Sequence, residues 1–134
     1  MFGALDTSTS ALVAQRTRLD VISGNLANRF TTLDADGNFA PYRRRIAMFA
    51  PGDPATGSSE GVHVRSIELD DSDFRRVYEP GHPNADKAGY VDYPNVDSSI
   101  EMINALEASR AYEANITAAE ATKSMLNATM RLLA

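Results

Sequence analysis

The chain has 134 residues, of which 43% are hydrophobic, and it carries a formal net charge of -5 with no cysteine. That length suits one ordinary domain, and the lack of cysteine excludes disulfides and thiolate metal sites. No third of the chain is basic, so the charge pattern does not favour nucleic acid as a partner. The N-terminal residues lack a basic region followed by an apolar run, and no apolar run is long enough to span a bilayer. We therefore expect neither a cleaved signal peptide nor a transmembrane helix.

An amphipathic helix is predicted over residues 4–28. Ile22 lies on its apolar face, where leucine recurs every seven residues at Leu5, Leu12, Leu19 and Leu26. A seven-residue apolar repeat places one face of a helix against a partner helix. Thr, Asp and Gly follow over residues 30–38 and predict a turn. This N-terminal segment covers residues 1–36.

An extended or β-rich insert is predicted over residues 37–97. Side chains alternate over 42–48, which predicts a strand. They alternate again over 62–69 on a shifted phase, which predicts either two short strands or one strand with a β-bulge. Residues 51–61 predict a loop by composition, and the prolines and glycines of 80–94 exclude regular helix. Seven of the ten aromatic residues lie in this insert, which predicts a chain pinned to a surface together with a small β core.

A second, longer helix is predicted over residues 98–133, within a C-terminal segment 98–134. Ser98 and Glu101 have the spacing of a capping box, and Pro94 ends the preceding chain. At 1.5 Å per residue this helix is about 54 Å long, whereas the first is about 37 Å. Part of its apolar stripe therefore needs a partner outside the monomer.

The predicted fold is α with a small β or extended insert. The two terminal helices pair as a coiled coil, and a middle segment of short strands and loops interrupts them. Asn115 lies beside the stripe, either as a surface residue or as a polar group that fixes the helix register. We call the residues expected to pack helices and subunits together the packing set: Leu12, Leu19, Ile22, Leu26, Tyr112, Asn115, Ile116, Ala119 and Leu126.

The residue types that perform chemistry are sparse. His63 and His82 are the only histidines, and neither has the spacing of a metal site, so we predict structural roles for both. Residues 34–37 (DADG) have the look of a calcium loop, but the twelfth position would be Arg43, a cation, so we interpret them as a turn.

The densest charge run is Arg43, Arg44 and Arg45. On a strand Arg44 points away from the other two, so the run is not one continuous patch. Acids such as Asp70, Asp71 and Asp73 are available to pair with the run. We predict a solvated or subunit-contact role for this run. The chain has no nucleophile elbow and no phosphate loop. We therefore predict that it is not an enzyme and has no catalytic, cofactor or metal site.

Three blocks together resemble the axial proteins of the bacterial flagellum. Residues 14–28 are similar to the N-terminal motif of flagellar rod and hook proteins. Residues 78–96 resemble the signature of the proximal-rod, FlgC-type branch, and residues 109–125 resemble its terminal helix. Arg29 and Phe30 replace the small and polar residues that the family has after the first helix, so the geometry of that turn stays open. The residues of the middle block that carry the resemblance are Tyr78, Pro80, Gly81, His82, Pro83, Gly89, Tyr90, Pro94 and Asn95.

The resemblance implies a structural subunit of the proximal rod, the drive shaft that transmits torque across the periplasm. Such subunits pass through the flagellar type III export apparatus without a cleaved signal peptide, and they assemble helically. The implied partners are other copies of the chain, other rod subunits, rod-base and export-gate proteins, and hook–basal-body proteins. The alternative is a cytosolic helical-hairpin adaptor or export chaperone for other axial proteins, which would not need residues 80–94.

Overall fold

In the part of the chain that the structure describes, two long helices flank four strands. The computed structural model describes residues 2–54 and 57–133. Its elements in chain order are α1 (Phe2–Ala27), β1 (Arg45–Asp53), β2 (Ser58–Leu69), β3 (Arg75–Tyr78), β4 (Tyr90–Tyr93) and α2 (Ser98–Leu133). The predicted fold class, helical with a small β insert, is confirmed.

Helices α1 and α2 pack side by side in opposite directions. Arg18 forms an ion pair with Glu107 at 2.9 Å, whereas Asn25, further along α1, contacts Glu101, which lies earlier in α2. Ala14 of α1 and Ala108 of α2 are only 1% and 0% exposed. Small side chains at a helix contact let the two backbones approach closely. The predicted pairing of the terminal helices is therefore confirmed.

Asp97 caps the N-terminus of α2. Its Oδ1 accepts hydrogen bonds from the backbone N–H groups of Ser99 and Ile100 at 2.8 and 3.2 Å. An aspartate suits this position because its charge opposes the positive end of the helix dipole. The predicted capping box of Ser98 and Glu101 is wrong, because the Glu101 carboxylate points into the protein interior and binds other partners.

Strands β1 and β2 form a long antiparallel hairpin that lies along α1. The backbone N–H of Val62 donates to Ser10 Oγ at 3.1 Å. Gly61 lies so close to α1 that a Cβ atom there would be 2.7 Å from the same Oγ. The absence of a side chain at Gly61 therefore lets the hairpin approach the helix.

A β-bulge interrupts β2. Met48 is opposite Ser66 and Phe49 is opposite Val64, so Arg65 is the additional residue. Such an insertion reverses the faces on which the following side chains lie, which is why the sequence alternation shifts phase. Of the two predicted alternatives for residues 62–69, the single strand with a bulge is correct.

The loop predicted over residues 51–61 is largely wrong. Strand β1 continues to Asp53 and β2 begins at Ser58, while residues 55 and 56 lie outside the described part of the chain. Gly52 has a φ of 82°, and a Cβ atom there would be 2.6 Å from the carbonyl oxygen of Ser58. Glycine permits that close approach of the two strands, so the same composition that predicts a loop also builds a narrow hairpin end.

Strands β3 and β4 form a second, short antiparallel ribbon. Residues 80–94 contain no helix, as predicted from their prolines and glycines. Val91 of β4 is fully buried, and Val96, just after the ribbon, is 4% exposed. The ribbon and the segment after it therefore supply part of the small apolar core.

Helix α2 extends beyond the end of α1. It has 36 residues against 26 in α1, and ten residues of helix correspond to about 15 Å. Among the residues of α2 up to 132, whose burial the structure describes, Thr122 is the last buried one, at 9% exposed. We call residues 123–132 the overhang; Met125, Met130 and Leu132 within it are 58%, 66% and 88% exposed. No helix in the described residues is both long and apolar enough to cross a membrane.

Candidate functional site

A buried amide holds α1 against both the hairpin and α2. Asn25 is only 1% exposed. Its Nδ2 donates to the carbonyl oxygen of Arg45 at 2.9 Å and to Glu101 Oε2 at 3.0 Å. Its Oδ1 accepts from the hydroxyl of Tyr42 at 3.0 Å and from the backbone N–H of Arg45 at 2.9 Å. All four hydrogen-bonding positions of the amide are therefore filled, which fixes its orientation.

A buried ion pair extends this contact to α2. Glu101 is 0% exposed, and its Oε1 accepts from Arg44 Nε at 2.7 Å. Arg44 also pairs with Asp70 at 3.2 Å. Burial alone would lower the pKa of Arg44, but the hydrogen bonds and charges of Glu101 and Asp70 outweigh burial and raise it. Removing two ions from water costs free energy, and the short hydrogen bonds of Glu101 and Arg44 to each other and to their other partners offset that cost.

Asn95 ties the C-terminal end of the β segment to the same network. Its Oδ1 accepts from the backbone N–H of Arg44 at 2.8 Å, and its Nδ2 donates to Ser72 Oγ at 2.9 Å and to the carbonyl oxygen of Asp70 at 3.1 Å. The backbone N–H and side chain of Ser72, with a smaller contribution from Arg44, hold the pKa of Asp70 below its ordinary value. We call this network the polar joint: Asn25, Tyr42, Arg44, Asp70, Asn95 and Glu101.

The polar joint connects four parts of the chain that are far apart in sequence: α1, the start of β1, the end of β2 and the start of α2. Sequence reasoning missed most of it. The one local signal is Asn25, a polar residue between Ile22 and Leu26 on the apolar face of α1. Nothing local marks Arg44 and Glu101 as partners, because 57 residues separate them.

Four members of the packing set are in α1 and five are in α2. Ile22 is buried at 5% exposure, and its other members are half-buried. Asn115 donates to the carbonyl oxygen of Ala111 in its own helix at 2.7 Å. In the described residues, the polar side chain that bonds across the helix pair from within the apolar stripe is Asn25, not Asn115. Leu126 lies in the overhang, beyond the stretch that α1 covers.

The segment that carries the family resemblance forms the β3–β4 ribbon and its connection. Tyr78 is paired with Tyr90, and their ring centroids are 5.3 Å apart. Gly89 has a φ of 84°, and a Cβ atom there would lie 2.9 Å from the Tyr78 ring and 3.2 Å from Pro80. Conformation and space therefore both require glycine at this position. Pro94 is fully buried.

The remaining motif residues lie in turns. Gly81 and Pro83 are exposed, and they flank His82, whose Nδ1 accepts from the backbone N–H of Asn84 at 3.1 Å. The His82 ring also packs edge-on against Tyr93, with the centroids 6.5 Å apart. These contacts give His82 a structural role within the ribbon.

The sequence does not predict the geometry of the turn after α1. Local contacts stabilise that turn in the structure. The backbone N–H of Thr31 donates to the carbonyl oxygen of Asn28 at 3.0 Å. The Arg29 guanidinium lies over the ring of Phe30, 4.4 Å from its centroid. Phe30 in turn packs edge-on against Tyr93, with centroids 6.3 Å apart. The two unusual residues thus connect the end of α1 to the β3–β4 ribbon.

The other candidate chemical groups have structural partners. His63 Nδ1 lies 2.7 Å from the carbonyl oxygen of Gly52. Asp34 Oδ1 accepts from the backbone N–H groups of Asp36 and Asn38 at 3.0 and 2.8 Å, as expected for a turn. Across residues 2–54 and 57–133, no three His, Cys, Asp or Glu side chains are grouped so that they could hold a metal ion.

The arginine run divides between two environments. Arg44 belongs to the polar joint and pairs with Asp70, one of the three acids expected near the run. Arg43 donates to the carbonyl oxygen of Asp70 at 2.8 Å and covers the ring of Phe74, 4.3 Å from its centroid. Arg45 is exposed, with its guanidinium 5.6 Å from the centroid of the Tyr42 ring.

Comparisons with known proteins agree with this architecture. The family model described as "Flagella basal body rod protein" matches residues 5–32, and the one described as "Flagellar basal body rod FlgEFG protein C-terminal" matches residues 87–132. The chain is 43% identical to the flagellar basal-body rod protein FlgC of Bacillus subtilis (strain 168), with 93% of each chain covered.

Two further relatives carry the same printed name. Identity is 40% to the protein of Borreliella burgdorferi, over 99% of this chain and 97% of the relative. It is 43% to the protein of Salmonella typhimurium, over 98% of this chain and 97% of the relative.

Two long terminal helices in antiparallel contact, braced through a β segment by buried polar groups, form the architecture of a structural subunit. The relatives specify which kind of structural subunit it is. The chain belongs to the FlgC family of flagellar basal-body rod proteins.

Proposed function

We propose that the chain is a structural subunit of the flagellar proximal rod that transmits torque through packed helices, without catalysis or a cofactor. The observation that carries this proposal is the overhang of α2. Its apolar side chains Met125, Met130 and Leu132 are all more than half exposed. Burying exposed apolar area is the main driving force for association between subunits. The overhang is therefore suited to a neighbouring subunit.

A second exposed apolar face supports the same role. Met102, Ile103 and Leu106 are 64%, 67% and 53% exposed. Side chains three and four positions apart lie together on a helix surface, so these three form one patch near the start of α2. With a patch at the start of α2 and the overhang at its end, one subunit can contact neighbours at both ends of its long helix. The partners that we propose are other copies of the chain and other rod subunits.

The polar joint supplies the stiffness that a drive shaft needs. Torque passes through a subunit only if its helix pair and its β segment do not rotate against each other. Asn25 and Glu101 are buried. Asn25 of α1 donates hydrogen bonds to Arg45 of β1 and to Glu101 of α2, and Glu101 accepts another from Arg44. Buried groups with all their hydrogen bonds formed favour one arrangement over alternatives. We propose that the packing set holds the helices together and that the polar joint fixes the angle between them and the β segment.

The test is complementation of a strain that lacks the gene, scored for swimming and for rods in isolated basal bodies. One variant replaces the apolar overhang residues: Met125→Gln, Met130→Gln and Leu132→Gln. Its matched control makes the same change at exposed polar positions of the same turns: Ser124→Gln, Asn127→Gln and Thr129→Gln. Glutamine is a good helix former, so both variants should keep the helix.

We expect the intact chain and the control to restore rods and the apolar triple variant not to restore them, although its helix content by circular dichroism is unchanged. Full swimming with the apolar triple variant would contradict the proposal for the overhang. Complete rods in the strain without the gene, with the chain found in the cytosol, would instead favour an adaptor or export chaperone.

A further inference from the structure

Two arginines lie unpaired beside a cleft at the junction of α1, β3 and α2. The cleft has a volume of about 330 Å³, and Arg29, Arg75 and Ser98 are among the residues that line it. Neither arginine forms an ion pair with any residue in the described part of the chain. Arg29 Nε and Ser98 Oγ are buried, and neither has a hydrogen-bond partner there.

An aromatic platform holds the two guanidiniums in place. The Arg29 guanidinium lies 4.4 Å from the centroid of Phe30, and that of Arg75 lies 5.9 Å from Phe30 and 5.6 Å from Tyr93. Phe30 is itself 61% exposed. A guanidinium stacked on a ring keeps its in-plane N–H donors available, and that planar fork matches the two oxygens of a carboxylate.

We propose that this cleft is an interaction surface for carboxylate side chains from a neighbouring protein subunit. The inference rests on the proposed function, because it is rod assembly that brings a neighbour close. When a neighbour covers Phe30, the two guanidiniums lose water, and buried cations without a partner are strongly unfavourable. An acidic segment on the neighbour removes that penalty and makes the contact specific in register.

The acids already at the cleft do not fill this role. Asp97 has its Oδ1 occupied by the N–H groups at the start of α2. Asp73 is exposed and makes no ion pair within residues 2–54 and 57–133. Both acids disfavour a polyphosphate ligand, which carries more charge than a single carboxylate. An acidic protein segment therefore fits the cleft better than a nucleic acid.

The first test is a titration of the purified full-length chain with a short peptide that carries two glutamates, followed by the NMR signal of the Arg29 Nε–H group. We expect saturable shifts that weaken as salt is added. Arg29→Gln and Arg75→Gln should each reduce affinity about tenfold, the effect of losing one charge-assisted contact. Arg65→Gln, which removes an exposed arginine outside the cleft, should change little, and Asp73→Asn should tighten binding. Equal losses from the Arg65 and Arg75 variants, or no shift at Arg29, would overturn the proposal.

The second test identifies the partner in assembled rods. Photoreactive benzoylphenylalanine replaces Phe30, an exposed aromatic residue of the platform, and the cross-linked peptide in purified basal bodies is sequenced by mass spectrometry. An acidic segment of an adjacent subunit is the expected product. A cross-link only to lipid, only to a segment without acids, or to nothing would overturn the inference. If the intact chain builds no rods at all, the proposed function fails, while the titration still decides whether the cleft binds carboxylates.

Discussion

Removing the Glu101 carboxylate should destabilise the chain far more than removing an exposed carboxylate of the same helix. Loss of one partner from a buried ion pair costs about 3–5 kcal/mol. Arg44 keeps Asp70 as a partner and its side chain is 20% exposed, so the lower end of that range applies. Asn25 also loses an acceptor for its Nδ2, which adds about 1 kcal/mol. We expect Glu101→Ala to lower the free energy of unfolding by about 4 kcal/mol.

The assay is urea unfolding of the purified chain, followed by circular dichroism. A loss of this size lowers the midpoint by about 2 M if the slope is unchanged. Glu101→Gln keeps an acceptor for Asn25 and removes only the charge, so it should cost less and remains measurable if Glu101→Ala does not fold. Glu107→Ala is the matched control, because that carboxylate also meets an arginine at 2.9 Å but its side chain is 67% exposed. Its cost should be below about 1 kcal/mol. Equal losses at Glu101 and Glu107 would refute the reasoning that the polar joint is a buried brace.

Three further changes test other parts of the molecule. Leu19→Asp should prevent rod assembly, because a half-buried leucine of the packing set becomes a charge without a partner; motility and rods in basal bodies are the measurements. Asp70→Asn should cost stability at neutral pH, and the difference from the intact chain should close in acid. The folded pKa of Asp70 is lowered from 3.8, so its contribution is complete above that value and is lost as pH falls through the folded pKa. Gly89→Ala should cost about 1–3 kcal/mol in urea unfolding, because its φ of 84° and the nearby Tyr78 ring both oppose a side chain.

Each of these predictions has its own control. Ser23→Asp adds the same charge at an exposed position of α1 and should leave swimming intact; normal swimming with Leu19→Asp would count against the packing set. For Asp70, a stability difference that stays constant through the acid range would show that its charge is not the cause. Gly81→Ala meets nothing within 4 Å and has no positive φ, so it should change stability by less than about 0.5 kcal/mol. A similar loss at Gly81 and Gly89 would remove the argument from conformation.

Local sequence was a good guide where local forces decide the structure. The heptad leucines predict α1, and the small and apolar residues of 98–133 predict α2, because helical periodicity is a short-range property. The turn at Asp34 was predicted for the same reason: its acceptors and the N–H groups that they bind are within four residues. The phase shift within 62–69 predicts either two short strands or one strand with a bulge. Local sequence does not decide between them, because a bulge is defined only by the opposite strand.

Local sequence misled where a side chain has two possible partners. Glu101 has the spacing of a capping residue, and in isolation nothing nearer competes for it. In the folded chain Arg44 and Asn25 occupy its oxygens and Asp97 takes over the cap. The composition of residues 51–61 misled in a similar way, because glycine permits both a loop and a close strand pair.

The two long helices, their unequal lengths and an insert that is not helical follow from the amino-acid sequence alone, since each depends on periodicity and on residues close along the chain. The polar joint and the unpaired arginines of the cleft, by contrast, depend on the folded arrangement of the chain. Hydrogen bonds and ion pairs act over a few ångströms, and the groups that form the joint come together only after the chain has folded. The sequence contains the polar and charged groups, and the folded chain brings some of them into contact and leaves others available to a neighbouring subunit.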